Sequence, residues 1–168
     1  MLKYGITSRI EKETELILEK TFQAPREKVF KMFTETEHLE QFWGPRKWQL
    51  IYSKMDFRPG GEWLYGMQSF DDIHQTIGME SWGKMIFQEI EPPHRLVYTD
   101  YFTDKNGEIN HEMPVAETTI EFLELDAERT FVVSRTRYAS ADELQALLEN
   151  GMLEGIAETW DRLSAYLK

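Results

Sequence analysis

The stretch that most constrains this chain is its last one, Ser140 to Lys168. Leu144, Leu147, Leu148, Met152, Ile156, Trp160, Leu163 and Leu167 recur there at steps of three and four residues, so a single helix would gather them into one long apolar stripe. Such a stripe needs a broad apolar partner. Ser140 followed three residues later by Glu143 marks its start, because each side chain of a capping box satisfies a free backbone donor of the first turn. Gly151 and Gly155 fall one turn apart inside the predicted helix, where each costs roughly 0.5–1 kcal/mol relative to alanine. Two explanations fit this notch: room for a cavity or a ligand, or the close approach of a neighbouring backbone or a bend.

The partner is sought upstream. Residues 1–13 read as a short polar segment, loosely held, and 14–168 as one domain. From Thr14 to Phe22, apolar Leu16, Leu18 and Phe22 alternate with polar residues and predict a strand. Ala24-Pro25 ends it and opens a short helix to about Thr34, carrying Val29, Phe30 and Phe33. Thr36 is placed to cap a second short helix holding Leu39, Phe42 and Trp43, which Gly44-Pro45 terminates. Trp48, Leu50 and Tyr52 then share one face of a strand that Arg58-Pro59-Gly60-Gly61 turns into the next, where Trp63, Tyr65 and Met67 share a face. Trp82 to Ile90 is another strand, closed by Pro92-Pro93, and Leu96, Tyr98, Asp100 and Phe102 alternate along the following one. Two further strands, Val115 to Leu125 and Arg129 to Tyr138, complete the pattern.

One strand, two short helices, about six strands and one long helix make an α+β chain. An antiparallel sheet built mostly from hairpins has one face to bury, and only the terminal helix is long enough to cover it. The sheet is therefore expected to curl around that helix, with the two small helices closing one end and a pocket left between.

Composition removes several classes of function. Nineteen Lys and Arg against thirty Asp and Glu give a net charge of -11, which repels phosphate backbones and anionic lipid, so neither nucleic acid nor a membrane surface is an expected partner. There is no cysteine, which removes disulfides, thiolate metal sites and cysteine nucleophiles together. No apolar run approaches the roughly 18 residues of a membrane span, and the N-terminus lacks the basic-then-apolar order of a secretion signal. A cytoplasmic location follows as the default expectation. His38, His74, His94 and His111 show no ligand spacing, no serine lies in a nucleophile-elbow pattern, and no phosphate-binding glycine loop follows a strand. No metal, cofactor or catalytic pair is expected.

Five motifs in order are then informative together. Phe22-Gln23-Ala24-Pro25 with Val29-Phe30, the Phe42-Trp43-Gly44-Pro45 corner, Arg58-Pro59-Gly60-Gly61-Glu62-Trp63, the run Glu89 to Tyr98, and Gly151 to Gly155 with Trp160-Asp161-Arg162-Leu163 resemble the AHSA1-like (activator of Hsp90 ATPase homologue 1-like) branch of the SRPBCC superfamily. The resemblance runs from about Thr14 to Leu167. It implies the helix-grip fold, also seen in START and Bet v 1 proteins, in which a curved antiparallel sheet of six to seven strands wraps a long C-terminal helix around a hydrophobic cavity.

Trp63, Tyr65, Met67, Tyr98, Phe102, Met152, Ile156 and Trp160 are the candidate cavity wall, because aromatic and thioether groups offer adaptable apolar contact. The alternative for each is a filled core, and Trp43 and Trp48 are read as packing near the helical corner. Asp100 shares the strand face of Tyr98 and Phe102. If that face points inward, its pKa rises and it can bind or protonate a ligand; otherwise it is an acid in water at the sheet margin. Three functions follow. The first is binding of a small hydrophobic ligand, aromatic or lipid-like. By the resemblance, the second is an Hsp90 co-chaperone role and the third a cyclase- or dehydratase-type enzyme using a pocket acid. Monomer and homodimer are both open.

Overall fold

Period-two alternation along the strands sets one apolar face, and the computed structural model, which describes residues 2–168, shows what covers it. The chain runs β1 (Leu2–Lys3), β2 (Ile6–Glu11), β3 (Glu15–Phe22), α1 (Arg26–Thr34), α2 (Thr36–Phe42), β4 (Trp48–Met55), β5 (Glu62–Ser69), β6 (Glu80–Glu91), β7 (Arg95–Phe102), β8 (Ala116–Asp126), β9 (Arg129–Arg137), α3 (Ala141–Glu149) and α4 (Met152–Tyr166). The described residues form one nine-stranded antiparallel sheet in the order β1-β2-β3-β9-β8-β7-β6-β5-β4. Every neighbour is a hairpin partner except β3 and β9, which bring the two ends of the chain together in a continuous register from Glu15↔Arg137 to Phe22↔Thr130. The sheet is unclosed, curved and covered by α4: the α+β helix-grip fold. No helix of the described residues is long and apolar enough to cross a membrane.

The inner face buries Leu16, Leu18 and Phe22 from β3, Trp63 and Tyr65 from β5, Met85 and Phe87 from β6, Leu96 and Tyr98 from β7, Ile120 and Phe122 from β8 and Val132 from β9. From the helices, Val29, Phe30, Phe33, Leu39, Phe42, Trp160 and Leu163 join the same cluster. Each such side chain is worth roughly 1.5–3 kcal/mol of burial. A second tie is polar. Arg162, part-buried on α4, donates through Nη1 to the carbonyls of Gly44 at 2.8 Å and of Pro45 and Trp48 at 3.2 Å, so one guanidinium holds the corner between α2 and β4 against α4.

The structure departs from the sequence reading in four places. Residues 1–13 were expected to be loosely held, yet Ile6–Glu11 forms a strand paired from Thr7↔Glu19 to Glu11↔Glu15, and Met1 lies outside the described residues. Ile6 is buried, and Lys20, turned inward on β3, donates from Nζ to the Tyr4 carbonyl at 2.5 Å. An inward lysine at an otherwise free sheet edge needs such a cover, which period-two counting alone does not reveal. Tyr52 does not share a face with Trp48 and Leu50. A bulge between Leu50 and Tyr52 adds one residue and reverses the alternation, so Ser53 and Met55 turn inward and Tyr52 packs its ring 5.6 Å from Trp82. Thr36 is the first residue of α2 rather than its cap; Glu35 holds that position with no side-chain cap bond.

The fourth departure is the terminal helix, which is two helices. The Ser140 cap forms at its start, with Glu143 N donating to Ser140 Oγ at 3.1 Å, while Glu143 Oε2 accepts from the N–H of Ala139, one residue before the cap, at 3.3 Å. The periodicity then continues across a break, because Gly151 adopts φ +87° between Asn150 and α4. Gly155 does lie within α4, and a Cβ there would sit 3.4 Å from Pro45 Cγ, so that half of the notch serves the close approach of the α2–β4 corner. At Gly151 the reason is conformational alone, since a Cβ would meet only Glu154 Oε2, at 4.0 Å. Gly151→Ala is therefore expected to destabilise the protein by about 1–2 kcal/mol in urea unfolding. In an unbroken helix the same change would stabilise by roughly 0.5–1 kcal/mol, so the sign of the change decides.

Candidate functional site

Side-chain size falls along the inner face from one end of the sheet to the other, and the site is where it falls. Beside α1 the face carries large rings in edge contact: Phe30 with Phe122 at 5.2 Å between centroids, Phe33 with Phe122 at 5.6 Å and Phe57 with Phe87 at 5.1 Å. Trp160 of α4 completes this plug, 5.8 Å from Phe22 and 6.2 Å from Phe33. Towards the other end the inward positions are Gly83 on β6, Ala116 and Thr118 on β8, and Ser134 and Thr136 on β9. These do not reach α4. A cavity of about 420 Å³ remains between sheet and helix, within the range of small-molecule sites.

Tyr65 and Met67 of β5, Tyr98, Asp100 and Phe102 of β7, and Met152, Ile156 and Trp160 of α4 line it. Trp63 does not. It is buried one layer behind, stacked 4.5 Å from Tyr65 and edge-on to Trp43 at 5.1 Å, with Nε1 donating to Ser53 Oγ at 2.8 Å. Trp43, read from the sequence as packing, reaches the cavity, whereas Trp48 stays outside the lining. Sequence reasoning also missed Thr118, Ser134, Thr136 and Tyr138 as wall residues. The available signal was Ser134 and Thr136 at alternate positions of β9, with Thr118 in the matching place on β8.

The mouth is recognisable by exposure. Trp82 at the start of β6, Phe102 at the end of β7, Pro114 before β8, and Asn150 and Gly151 between α3 and α4 all line the cavity while keeping surface in solvent. In an antiparallel sheet those strand ends lie at one edge, opposite the aromatic plug.

One pair of polar side chains dominates the interior. Gly83 faces Tyr65 across β5 and β6, and a Cβ there would meet the Tyr65 hydroxyl oxygen at 2.5 Å. The missing side chain lets the phenol lie across β6 and donate to Asp100, 2.9 Å from Oδ1 and 3.0 Å from Oδ2. Asp100 keeps partial accessibility because it faces the cavity, yet the surrounding apolar mass pushes its carboxyl up to about 7; the Tyr65 hydroxyl and the Tyr101 backbone N–H oppose the shift. Burial, reinforced by the Asp100 charge, pushes the Tyr65, Tyr98 and Tyr138 phenols up, so all three stay protonated. Around them, Thr118 and Thr136 share a hydrogen bond of 2.9 Å, and Tyr138 donates to Met152 Sδ at 3.1 Å. Of the histidines, His38 groups with Glu35 and Glu37 at the surface, its Nδ1 2.9 Å from the Tyr166 hydroxyl.

The comparisons with known proteins agree with this geometry. The family model described as activator of Hsp90 ATPase homolog 1-like protein matches residues 23–168. A Mycobacterium smegmatis crystal structure superposes with a TM-score of 0.84 at 27% identity, covering 97% of both chains. A solution structure from Arthrobacter aurescens gives 0.84 at 26% identity over 95% of this chain and 89% of that one. A crystal structure from Nitrosomonas europaea gives 0.77 at 26% identity over 94% and 96%. No curated protein matches the chain.

The raised carboxyl has a consequence for stability. Asp100 at about 7 lies above the ordinary carboxylate value of about 4, so between those values the folded state holds a proton that the unfolded chain releases. Its ionisation costs stability progressively as pH rises from about 4 to about 7, and in full above. Asp100→Asn keeps an acceptor for Tyr65 without the charge. It should stabilise the fold by about 2–4 kcal/mol at pH 8, with water in the cavity screening part of the effect, and change little near pH 4. Thermal unfolding of both proteins across that range measures it; an equal effect at both ends would contradict the buried carboxylate.

Proposed function

The chain belongs to the activator of Hsp90 ATPase homolog 1-like family, and on that premise we propose that it binds a small, largely apolar ligand in the space between its sheet and α4. The observation that carries this reading is a cavity of about 420 Å³ left by small inward residues beside a complete aromatic plug. Apolar surface left facing water costs stability, and a cavity lined by Tyr65, Met67, Tyr98, Ile156 and Trp160 recovers that cost when an apolar ligand covers it. The polar tips of Tyr65, Asp100, Thr118 and Tyr138 orient such a ligand. Net charge of -11 favours a soluble carrier over an anionic-surface binder.

Family and fold together support a ligand-binding or co-chaperone-type domain. The co-chaperone reading draws on the family description alone, whereas the ligand reading draws also on the cavity. An enzyme of cyclase or dehydratase type would use the Tyr65–Asp100 pair, because an acid near 7 exchanges protons readily at neutral pH.

Fluorescence titration with the neutral probe N-phenylnaphthylamine tests the binding reading. A saturable one-to-one signal is expected from the wild-type protein. Ile156→Trp, which adds bulk to the cavity wall from α4, should weaken it at least about tenfold with the circular dichroism spectrum unchanged. No saturable signal, or one indifferent to Ile156→Trp, would overturn the proposal.

A further inference from the structure

The polar interior of the cavity is one-sided in charge. Among the described lining residues Asp100 is the one carboxylate, and no lysine, arginine or histidine accompanies it. In a sealed core an unpaired carboxylate is costly and is ordinarily matched by a cation or by a full set of donors. Here Asp100 receives the Tyr65 hydroxyl and the Tyr101 backbone N–H. A carboxylate has about four acceptor positions, so two donors leave capacity directed at the void. The wall around it is rich in aromatic residues: Trp43, Tyr98 and Phe102 line the same space. Ring faces are electronegative and attract ammonium groups, more strongly where water is excluded. The surrounding field, from a net charge of -11, favours the entry of cations and opposes anions.

From this geometry we infer that the ligand is an organic monocation, an aromatic or alkyl body carrying a protonated amine, with the ammonium group seated on Asp100 and framed by the ring faces. This rests on the reading of the cavity as a ligand site and adds the ligand's charge. Tyr65 holds the carboxylate in place from β5 and leaves its remaining oxygen lone pairs to the ligand. The other groups tied to Asp100 are the Tyr98 phenol on its own strand and the Tyr138 phenol after β9, with Ala116 of β8 and Met85 of β6 as its strand partners. None of these titrates near neutrality, because the three phenols are all pushed up. Asp100 alone therefore sets the pH response, and a bound ammonium draws its carboxyl down into the ionised state.

Isothermal titration of the full chain with tryptamine, neutral tryptophol and anionic indoleacetate tests the inference, since the three share an indole and differ in charge. At pH 8 tryptamine should bind roughly tenfold or more tighter than tryptophol, and indoleacetate weakest. From pH 8 to pH 6 the tryptamine affinity should fall roughly tenfold as Asp100 takes up its proton, while the amine stays charged and tryptophol is unaffected. Asp100→Asn should bring tryptamine down to the level of tryptophol measured on the same variant. Tryptophol equal to or tighter than tryptamine, or a preference that survives Asp100→Asn, would overturn the charge assignment while leaving the cavity as a binding site. Failure of all three indoles to bind overturns the charge assignment too, and the neutral naphthylamine probe then reports separately whether the cavity takes a ligand.

Discussion

The structure depends on a mismatch in size between the two ends of one sheet face. Beside α1 the inward residues are Phe87, Phe122 and Val132, which together with Phe30, Phe33 and Trp160 pack to completion. Two to four residues further along the same strands they become Gly83, Thr118 and Ser134. The sheet backbone does not pinch to follow, because its curvature is set by continuous pairing from β1 to β4. Nor does α4 bend inward, because Arg162 and the contact of Gly155 with Pro45 hold it against the α2–β4 corner. Charge-assisted hydrogen bonds of this kind contribute roughly 1.5–3 kcal/mol each. The void is thus maintained by elements that are anchored elsewhere.

The same anchoring places the chemistry. Asp100 would be a poor core residue, and it is tolerated because the absent side chain at Gly83 lets Tyr65 reach it. Tyr65 is in turn fixed by Trp63 and Trp43, whose rings stand 4.5 and 5.9 Å from its own. An acid, a phenol and two indoles therefore act as one unit at the wall. The break at Gly151 ends α3 and starts α4 at the mouth, so the entrance is framed by a turn with exposed backbone rather than by a continuous helical cylinder.

Much of this was legible in the sequence. Period-two patterns located Trp63, Tyr65 and Met67 of β5 and Leu96, Tyr98, Asp100 and Phe102 of β7 on their inward faces, and period-three-and-four spacing found the stripe of Met152, Ile156 and Trp160, because a side chain's face follows directly from local geometry. What escaped depends on geometry that spacing does not carry. The bulge at β4 reversed Tyr52, since one inserted residue changes every later face. Gly151 gave the same periodicity on either side of a helix break as it would within a helix, because α3 and α4 keep their apolar sides on the same core. Trp63 was expected at the cavity surface and lies behind it, because alternation distinguishes faces but not depth. The N-terminal strand pair was hidden by polar outward residues and one inward lysine, Lys20, whose partner is a backbone carbonyl.

The space between Leu18, Ser134 and Ile120 on one side and Ile156 on the other is unfilled. Ser134 sits in that row, inward and buried from outside, next to Leu18 on β3 and Ile120 on β8. Equilibrium urea unfolding of Ser134→Leu shows whether that space is empty. If the space is empty, the added methylenes gain contact at about 0.8 kcal/mol each and stability rises. If the interior is already packed, overpacking lowers it by about 1–3 kcal/mol, and the account of a maintained cavity is contradicted.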